Sequence, residues 1–304
     1  MSCNYTNLSL KKRAKTFYFA SFFFPREVRK DVKILYSFCR YIDDIGDKKE
    51  KSKENTKIKL EQIKKELESK KSNEKVISNF LELISKYNIN QSTPKMLIDG
   101  VLSDLKKVNV KSCNELIKYS YKVAGTVGLM MCKIMKVNNK SQKLKAIQLG
   151  IAMQMTNIAR DVEEDLKRDR IYFPKEFRSY KKRNFAKVLK NKKLQLQFST
   201  DLEKLLQLAD NIYMVSWEGI LNLPLKFRIP IAIASNLYQS IGKKIRMKEY
   251  KIWKERVYLT RVEKVFEAIK TIFRLLSMKD FKKDEKIDKN IDLILKNLNP
   301  EYCD

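Results

Sequence analysis

The sequence contains no histidine and little glycine or proline. Without histidine, a Ser-His-Asp triad, a histidine proton relay and imidazole metal ligands are all excluded. Only 7 Gly and 6 Pro occur in 304 residues, whereas lysine, leucine, isoleucine and glutamate are abundant, which favours long helices over turn-rich sheets. We therefore predict an all-α protein in which any metal ion is held by oxygen ligands.

Cysteine patterns and long apolar runs are also missing. The 5 cysteines are scattered and never spaced as C-x-x-C, so they indicate neither a disulfide framework nor a thiolate metal site. No run approaches the roughly 18 to 20 apolar residues of a transmembrane helix. The apolar run Phe17 to Phe24 is too short and too aromatic for a signal peptide. We expect a cytoplasmic protein whose membrane contact, if any, is peripheral and at the inner face.

Acidic residues are scarce relative to basic ones, 36 against 65, which gives a formal net charge of +29. Nucleic-acid binding, attraction to anionic membranes or phosphate ligands, and a general lysine bias are three candidate causes. The lysines are spread along the whole chain, and no zinc finger or aromatic-interleaved basic module is present. We expect no nucleic-acid partner.

Nothing in the sequence divides the chain into separate units. It has no internal repeat and no linker rich in Pro, Gly or Ser, so we predict a single helical domain over residues 1–304. Its core is expected at about 10–276, followed by a charged tail at 277–304. Helical periodicity from Leu194 onward predicts long helices with a break near Pro224 and Pro230.

Two segments are unusually rich in charge. The stretch Lys48 to Lys75 carries a thin apolar repeat at Ile58, Ile63 and Leu67, which predicts a solvated helix beside the core. The stretch Arg178 to Lys193 follows a proline and interrupts the helical pattern. We predict a loop or flap there, with contact to anionic lipid as a second interpretation.

Three aspartates cluster in the segment Phe38 to Asp47. On a helix, Asp43 and Asp47 share one face, while Asp44 points about 100° away. Two carboxylates one turn apart repel each other unless a cation lies between them, and Mg²⁺ accepts one or two carboxylates together with water and phosphate oxygens. A solvated acidic turn explains this segment equally well when it is considered alone.

A second acidic segment is more informative. Gln154, Asn157, Asp161 and Asp165 follow steps of three, four and four residues, so one helical face carries amide and carboxylate groups. Unpaired carboxylates at the edge of a core are costly without a cation, so this face favours a metal-filled cavity over open solvent. The neighbouring stripe is apolar at the same spacing: Ile151, Met155, Ile158, Val162 and Leu166.

Arginines and small residues accompany these segments. Arg40, Arg160 and Arg170 supply forked donors suited to diphosphate oxygens, with ordinary ion pairs as the alternative. Glycines inside the helical stretch Tyr119 to Gly128 predict a close approach by another helix or by a ligand, because glycine weakens a helix by about 1 kcal/mol relative to alanine.

The four segments Lys15 to Ala20, Asp43 to Asp47, Tyr119 to Gly128 and Gly150 to Pro174 resemble the squalene and phytoene synthase family. The resemblance extends from Thr16 to about Tyr258. Members of that family are α-helical enzymes that join two identical prenyl diphosphates head to head. The resemblance implies an isoprenoid-synthase-type helical bundle around a central cavity, with two facing Asp-rich helices.

The resemblance also implies roles for individual residues, with one departure from the family pattern. Arg13 stands where many relatives carry a histidine. Phe17, Phe23 and Tyr238 are candidates to line the cavity, with plain core packing as the alternative. Mg²⁺ contacts, with Mn²⁺ as a substitute, are implied for Asp43, Asp47, Asn157, Asp161 and Asp165. Substrate contacts are implied for Thr16, Tyr36, Arg40, Gln154, Arg160 and Tyr238. A catalytic role is implied for Asp43, Asp47, Asp161, Asp165 and Tyr119.

For activity, the resemblance favours the carotenoid branch of the family, which condenses two geranylgeranyl diphosphates to phytoene through a cyclopropyl diphosphate. The alternatives are squalene, presqualene diphosphate or dehydrosqualene synthesis from two farnesyl diphosphates, and a catalytically silent assembly subunit of the same fold. We expect no NADPH, because a Gly-rich dinucleotide fingerprint is absent. We expect a monomer or weak dimer that associates loosely with membranes through a basic or aromatic surface.

Overall fold

The computed structural model describes residues 15–47, 52–178, 187, 191–252, 256–277, 289, 291 and 293. Arg13, most of the basic stretch Arg178 to Lys193 and most of the tail 277–304 lie outside the described residues. The predictions for those parts therefore stay predictions.

Helices make up nearly all of the regular structure in the described ranges, which confirms the all-α prediction. A two-residue parallel pair, β1 Val108–Asn109 and β2 Arg170–Ile171, is an addition that the sequence does not predict. A π-helical turn, Tyr121–Gly125, joins two of the helices. Among these residues, no helix has the length and apolar character needed to cross a membrane. The α-helices are α1 Lys15–Ser21, α2 Arg26–Asp47, α3 Lys53–Ser69, α4 Lys75–Tyr87, α5 Ser92–Ser103, α6 Cys113–Ser120, α7 Thr126–Ile134, α8 Lys140–Arg160, α9 Val162–Leu166, α10 Lys192–Leu221, α11 Leu225–Met247 and α12 Arg261–Ser277.

Helix α8 lies at the centre of the bundle and packs against α7, α10, α11 and the π-helical turn. Its apolar stripe behaves as the spacing predicts. Ile151 and Met155 are fully buried, Ile158 and Val162 are nearly so, and Leu166 packs against the same core. Burial of this stripe fixes the rotation of α8 and therefore decides which of its residues face the cavity described below.

Two glycines allow α8 to approach its neighbours closely. A Cβ added at Gly128 would lie 2.4 Å from the carbonyl oxygen of Ala146. A Cβ at Gly150 would lie 2.4 Å from the carbonyl oxygen of Ala124. The predicted close approach is therefore made by a helix. The stretch predicted as one helix is in fact α6, the π-helical turn and α7 in succession.

The charged segment after α2 does form a helix, α3, but its apolar face differs from the prediction. Leu60, Ile63 and Leu67 are fully buried, whereas Ile58 is exposed, since a helix carries its buried residues at steps of three and four from Leu60. The predicted break at Pro224 is present, because α11 begins immediately after it. Pro230 lies inside α11 and does not end it.

Candidate active site

A cavity of 880 Å³ runs beside α8. Its lining includes the α8 residues from Gln142 to Arg160 that share one face, and at 1.5 Å per residue these cover roughly 27 Å. The residues with an implied metal, substrate or catalytic role all line this one cavity: Thr16, Tyr36, Arg40, Asp43, Asp47, Tyr119, Gln154, Asn157, Arg160, Asp161, Asp165 and Tyr238.

The second acidic segment is interrupted where the sequence predicts a continuous helix. Helix α8 ends at Arg160, and Asp161 adopts φ −104° and ψ 18° before α9 begins. The backbone N–H of Asp161 still donates to the carbonyl of Asn157 at 2.9 Å, and that of Asp165 to Asp161 at 2.9 Å. Because this spacing is kept across the break, the polar residues remain on the cavity side.

Asp161 is held by two arginines. Its carboxylate accepts from Arg160 Nε at 2.8 Å and from Arg256 Nε and Nη2 at 2.8 and 2.9 Å. Burial by itself would raise the pKa of Asp161, but the two guanidinium groups outweigh it, and the pKa lies below its usual value. The sequence analysis misses Arg256, since no local pattern marks it and only the fold brings it to Asp161.

The first acidic segment is the C-terminal end of α2. Asp43 is exposed to the cavity, yet the surrounding protein desolvates its carboxyl group and raises the pKa to about 7. Arg40 opposes the shift, and the neighbouring carboxylates of Asp47, Asp44 and Asp104 raise the pKa further. Asp44 turns away as predicted and pairs with Arg40. Arg40 also lines the cavity, and its buried Nε has no hydrogen-bond partner among the described residues. This donor is suited to an anionic ligand.

Arg170 joins the two acidic segments. It extends from β2, donates through Nη1 to Asp47 at 2.8 Å and through Nη2 to the carbonyl of Gly46 at 3.2 Å. Arg168 lies 3.3 Å from the other oxygen of Asp47. Arginines that follow the second segment thus bind the end of the first. The arginines predicted as diphosphate donors are therefore engaged with carboxylates in this structure.

A buried carboxylate that the sequence analysis misses lies beside both segments. Asp104 accepts hydrogen bonds from the hydroxyls of Tyr172 and Tyr119, at 2.7 and 2.9 Å. Burial raises the pKa of Asp104 to about 6, while Arg170 and the two tyrosine hydroxyls oppose the shift. Asp104 follows the apolar helix α5 as a single acidic residue, so its sequence context gives no sign of a role.

Aromatic rings cover part of the cavity wall. Phe17 stacks on Tyr36 with ring centroids 5.2 Å apart, and both line the cavity together with Tyr238. The prediction for Phe23 is wrong: its ring is 38% exposed and contacts Phe19 edge-on at 5.6 Å, away from the lining. Three further tyrosines, Tyr119, Tyr172 and Tyr258, line the same cavity from other segments.

The acidic residues suit Mg²⁺ in a particular way. Within the described ranges, no three acidic side chains converge closely enough to hold a cation unaided. Mg²⁺ does not require such a cage, because it binds one or two carboxylates and takes its remaining oxygens from water and phosphate. Burial and nearby carboxylates raise the pKa values of Asp43 and Asp165, and a bound cation would relieve this repulsion. The donor set therefore fits Mg²⁺ shared with a phosphate ligand.

Comparison with known proteins places the chain in a family. The squalene/phytoene synthase family profile matches residues 10–263. The chain is therefore a member of the squalene/phytoene synthase family of prenyltransferases.

Individual relatives agree with the assignment. The chain is 30% identical to a 15-cis-phytoene synthase of Pantoea ananas over 83% of its own length and 85% of the relative. It is 29% identical to a phytoene synthase of Cereibacter sphaeroides, over 82% and 73% of the two chains. A ligand-bound crystal structure of a dehydrosqualene synthase superposes with a TM-score of 0.79 at 28% identity, covering 90% of this chain and 96% of the other.

Proposed function

We propose that this protein condenses two geranylgeranyl diphosphates head to head, through a cyclopropyl diphosphate, to phytoene, with release of diphosphate, in carotenoid biosynthesis. The observation that carries the proposal is the cavity itself. It extends along α8 from a charged end, built from both acidic segments, into an apolar interior. The curated relatives named phytoene synthases support the same activity.

We propose that Asp43 and Asp47 on one side, and Asn157, Asp161 and Asp165 on the other, hold Mg²⁺, or Mn²⁺ in its place. When bound, the metal supplies positive charge that stabilises a departing diphosphate. The residues of both sides line the same cavity. Their shared position supports the assignment.

The chain itself positions the diphosphate. Arg40, with its unpartnered Nε, and Arg160 provide planar, permanently charged donors that match phosphate oxygens. Gln154 and Tyr238 add neutral donors at the same end, with Thr16 and Tyr36 beside them. We propose that these groups orient the leaving group before its bond to carbon breaks, which removes the entropic cost of alignment.

The apolar interior protects the reacting carbon atoms from water. Leu149, Val127 and Met131 line the cavity beyond the charged end and exclude water, which would otherwise capture an allylic cation. The rings of Phe17 and Tyr36 face a cationic carbon chain favourably through their π-systems. No side chain is required as a covalent nucleophile, in keeping with the absence of histidine.

The decisive experiment is to incubate the purified full chain with Mg²⁺ and either geranylgeranyl or farnesyl diphosphate and to identify the hydrocarbon formed. A 40-carbon product from the longer substrate is expected, and a chelator should abolish it. A 30-carbon product alone would replace the proposal with squalene or dehydrosqualene synthesis. Failure to convert either substrate would favour the silent assembly subunit.

We further propose that residues 1–304 form one domain, that the protein is a monomer or weak dimer, and that it associates peripherally with membranes. The long hydrocarbon product supports the last point, since such a product leaves an aqueous cavity most readily into lipid. Light scattering coupled to size exclusion measures the oligomeric state. Salt washing of isolated membranes tests the association.

A further inference from the structure

Helix α12 exposes an apolar face of unusual extent. Six large apolar side chains on it are between 48% and 79% exposed, whereas a surface helix normally turns such residues towards the core. Their steps of three, one, three, four and three residues place them along one side of the helix. The face, called the α12 face below, consists of Val262, Val265, Phe266, Ile269, Phe273 and Leu276.

The inner side of α12 packs against α11 without using the residues of the α12 face. Ala268 and Thr271 are buried against the bundle. Both acidic residues of the helix also lie on this side: Glu263 pairs with Lys244 at 2.6 Å, and Glu267 accepts from Asn236 Nδ2 at 2.8 Å. The helix is therefore anchored to the protein without any contribution from the α12 face.

Charge on the outer side of α12 has a single sign. Arg261 and Lys270 are exposed there beside the apolar residues, and the only two acids of the helix face α11. An apolar stripe flanked by cations, with no acidic residue among them, is the pattern of helices that lie in the headgroup region of anionic membranes. A formal net charge of +29 adds long-range attraction to such a surface.

The α12 face also adjoins the mouth of the cavity. Tyr258 lines the cavity and is at the same time 61% exposed, so it stands at the rim, four residues before Val262. Met247, at the end of α11, is 83% exposed. Because Lys244 binds Glu263, this end of α11 lies beside the start of α12. Exposed apolar side chains therefore lie both at the cavity rim and at the start of the α12 face.

We propose that the α12 face docks on an anionic lipid bilayer and holds the cavity mouth against it. A chain entering or leaving the cavity would then pass between the protein and lipid without crossing water. This inference rests on the proposed function for the nature of that chain, whereas the docking itself is argued from the exposed residues and their charge. A second copy of the protein, or residues of the tail 277–304, are the competing occupants.

Vesicle cosedimentation of the full chain tests the proposal. The vesicles are phosphatidylcholine with or without phosphatidylglycerol, and the measured quantity is the partition coefficient. The wild-type protein is expected to bind the phosphatidylglycerol vesicles. The double variant Phe266→Ser, Phe273→Ser should bind them at least about tenfold more weakly, because two large apolar side chains no longer enter the lipid.

Matched variants separate the α12 face from general surface effects. Ile269→Ser is compared with Ile58→Ser, since both isoleucines are exposed but Ile58 lies on α3. Lys270→Glu on α12 is compared with Lys65→Glu, which changes an exposed lysine of α3. Only the α12 variants are expected to lose vesicle binding. Equal losses in the α3 variants would overturn the proposal.

Measurements without vesicles exclude the competing occupants. If the double variant converts a dimer into a monomer in light scattering, the face belongs to a second copy and the proposal fails. A lower melting temperature of the double variant would mean that the tail covers the face, which also overturns it. Turnover of geranylgeranyl diphosphate in detergent micelles should be unchanged in the double variant, so failed vesicle binding and failed catalysis are recorded separately.

Discussion

The hydroxyl of Tyr119 donates a hydrogen bond to the Asp104 carboxylate at 2.9 Å, although the two residues belong to separate helical segments. Tyr172 binds the other oxygen at 2.7 Å, and the two tyrosine rings stack with centroids 4.6 Å apart. Asp104 therefore fixes both phenols at the cavity wall, between the two acidic segments. It is a positioning residue, since its effect on a ligand passes through Tyr119.

Replacement of Asp104 should lower turnover more than substrate affinity. In Asp104→Asn one carboxylate oxygen becomes an NH₂ group, so one of the two tyrosine hydroxyls must turn from donor to acceptor and the charged acceptor is lost, which loosens the orientation of Tyr119. We expect kcat to fall about tenfold to a hundredfold with KM nearly unchanged. Steady-state kinetics checks this, with Asp99→Asn, on the exposed side of α5, as the control. A change in KM alone would contradict a positioning role.

Asp43→Asn and Asp161→Asn should both lower turnover by orders of magnitude but should differ in stability. The pKa of Asp43, which faces the cavity, is raised to about 7, so its contribution to stability falls as the pH rises from the unfolded pKa through about 7. Above that pH a neutral amide should leave the melting temperature unchanged or slightly higher. Asp161 has a lowered pKa, so its ionised form stabilises the fold above the unfolded pKa.

In Asp161→Asn, half-buried Arg160 loses its charged partner, and we expect a loss of about 1 to 3 kcal/mol in the free energy of unfolding. Thermal and urea denaturation of both variants measures the difference. Full activity in both variants would remove the basis for the metal assignment. Equal stability of the two would mean that the arginine pairs contribute nothing to the fold.

Mg²⁺ binding should weaken as the pH falls through about 7. Only the ionised carboxylate of Asp43 binds the metal, and its raised pKa means that a proton competes for it at and below that value. Calorimetric titration with Mg²⁺ in the presence of inorganic diphosphate, one unit below and one unit above pH 7, should show tighter binding at the higher pH. Asp43→Asn should show a smaller pH dependence, and the dependence that remains measures protonation of the diphosphate itself.

Gly150→Ala should destabilise the protein by about 1 to 3 kcal/mol. The added methyl group would lie 2.4 Å from the carbonyl oxygen of Ala124, and backbone on both sides limits relaxation. Gly242→Ala is the matched control, because its Cβ would meet only a Leu206 methyl at 3.2 Å and alanine favours helix. Thermal denaturation compares the two. A similar melting temperature for both variants would show that α8 can shift without cost.

Local spacing predicted much of the cavity from sequence. The steps between Gln154, Asn157, Asp161 and Asp165 fix their common direction on a helix, and all four line the cavity. The prediction of a continuous helix there is wrong at Asp161, because no local feature of the sequence marks the break. Phe23 shows the limit of composition, since an aromatic residue near a site can equally well lie at the surface.

The sequence alone determined the helical class, the two acidic segments and the exclusion of histidine chemistry. Composition and short-range periodicity reveal these features without any knowledge of which segments meet in the fold. Only the tertiary structure decided that Arg170 binds Asp47, that Arg256 binds Asp161, and that Asp104 holds Tyr119. These pairs join residues far apart in the chain, and their pKa shifts arise from burial and from charges on other segments. The same holds for the α12 face, whose exposure depends on what α11 leaves uncovered.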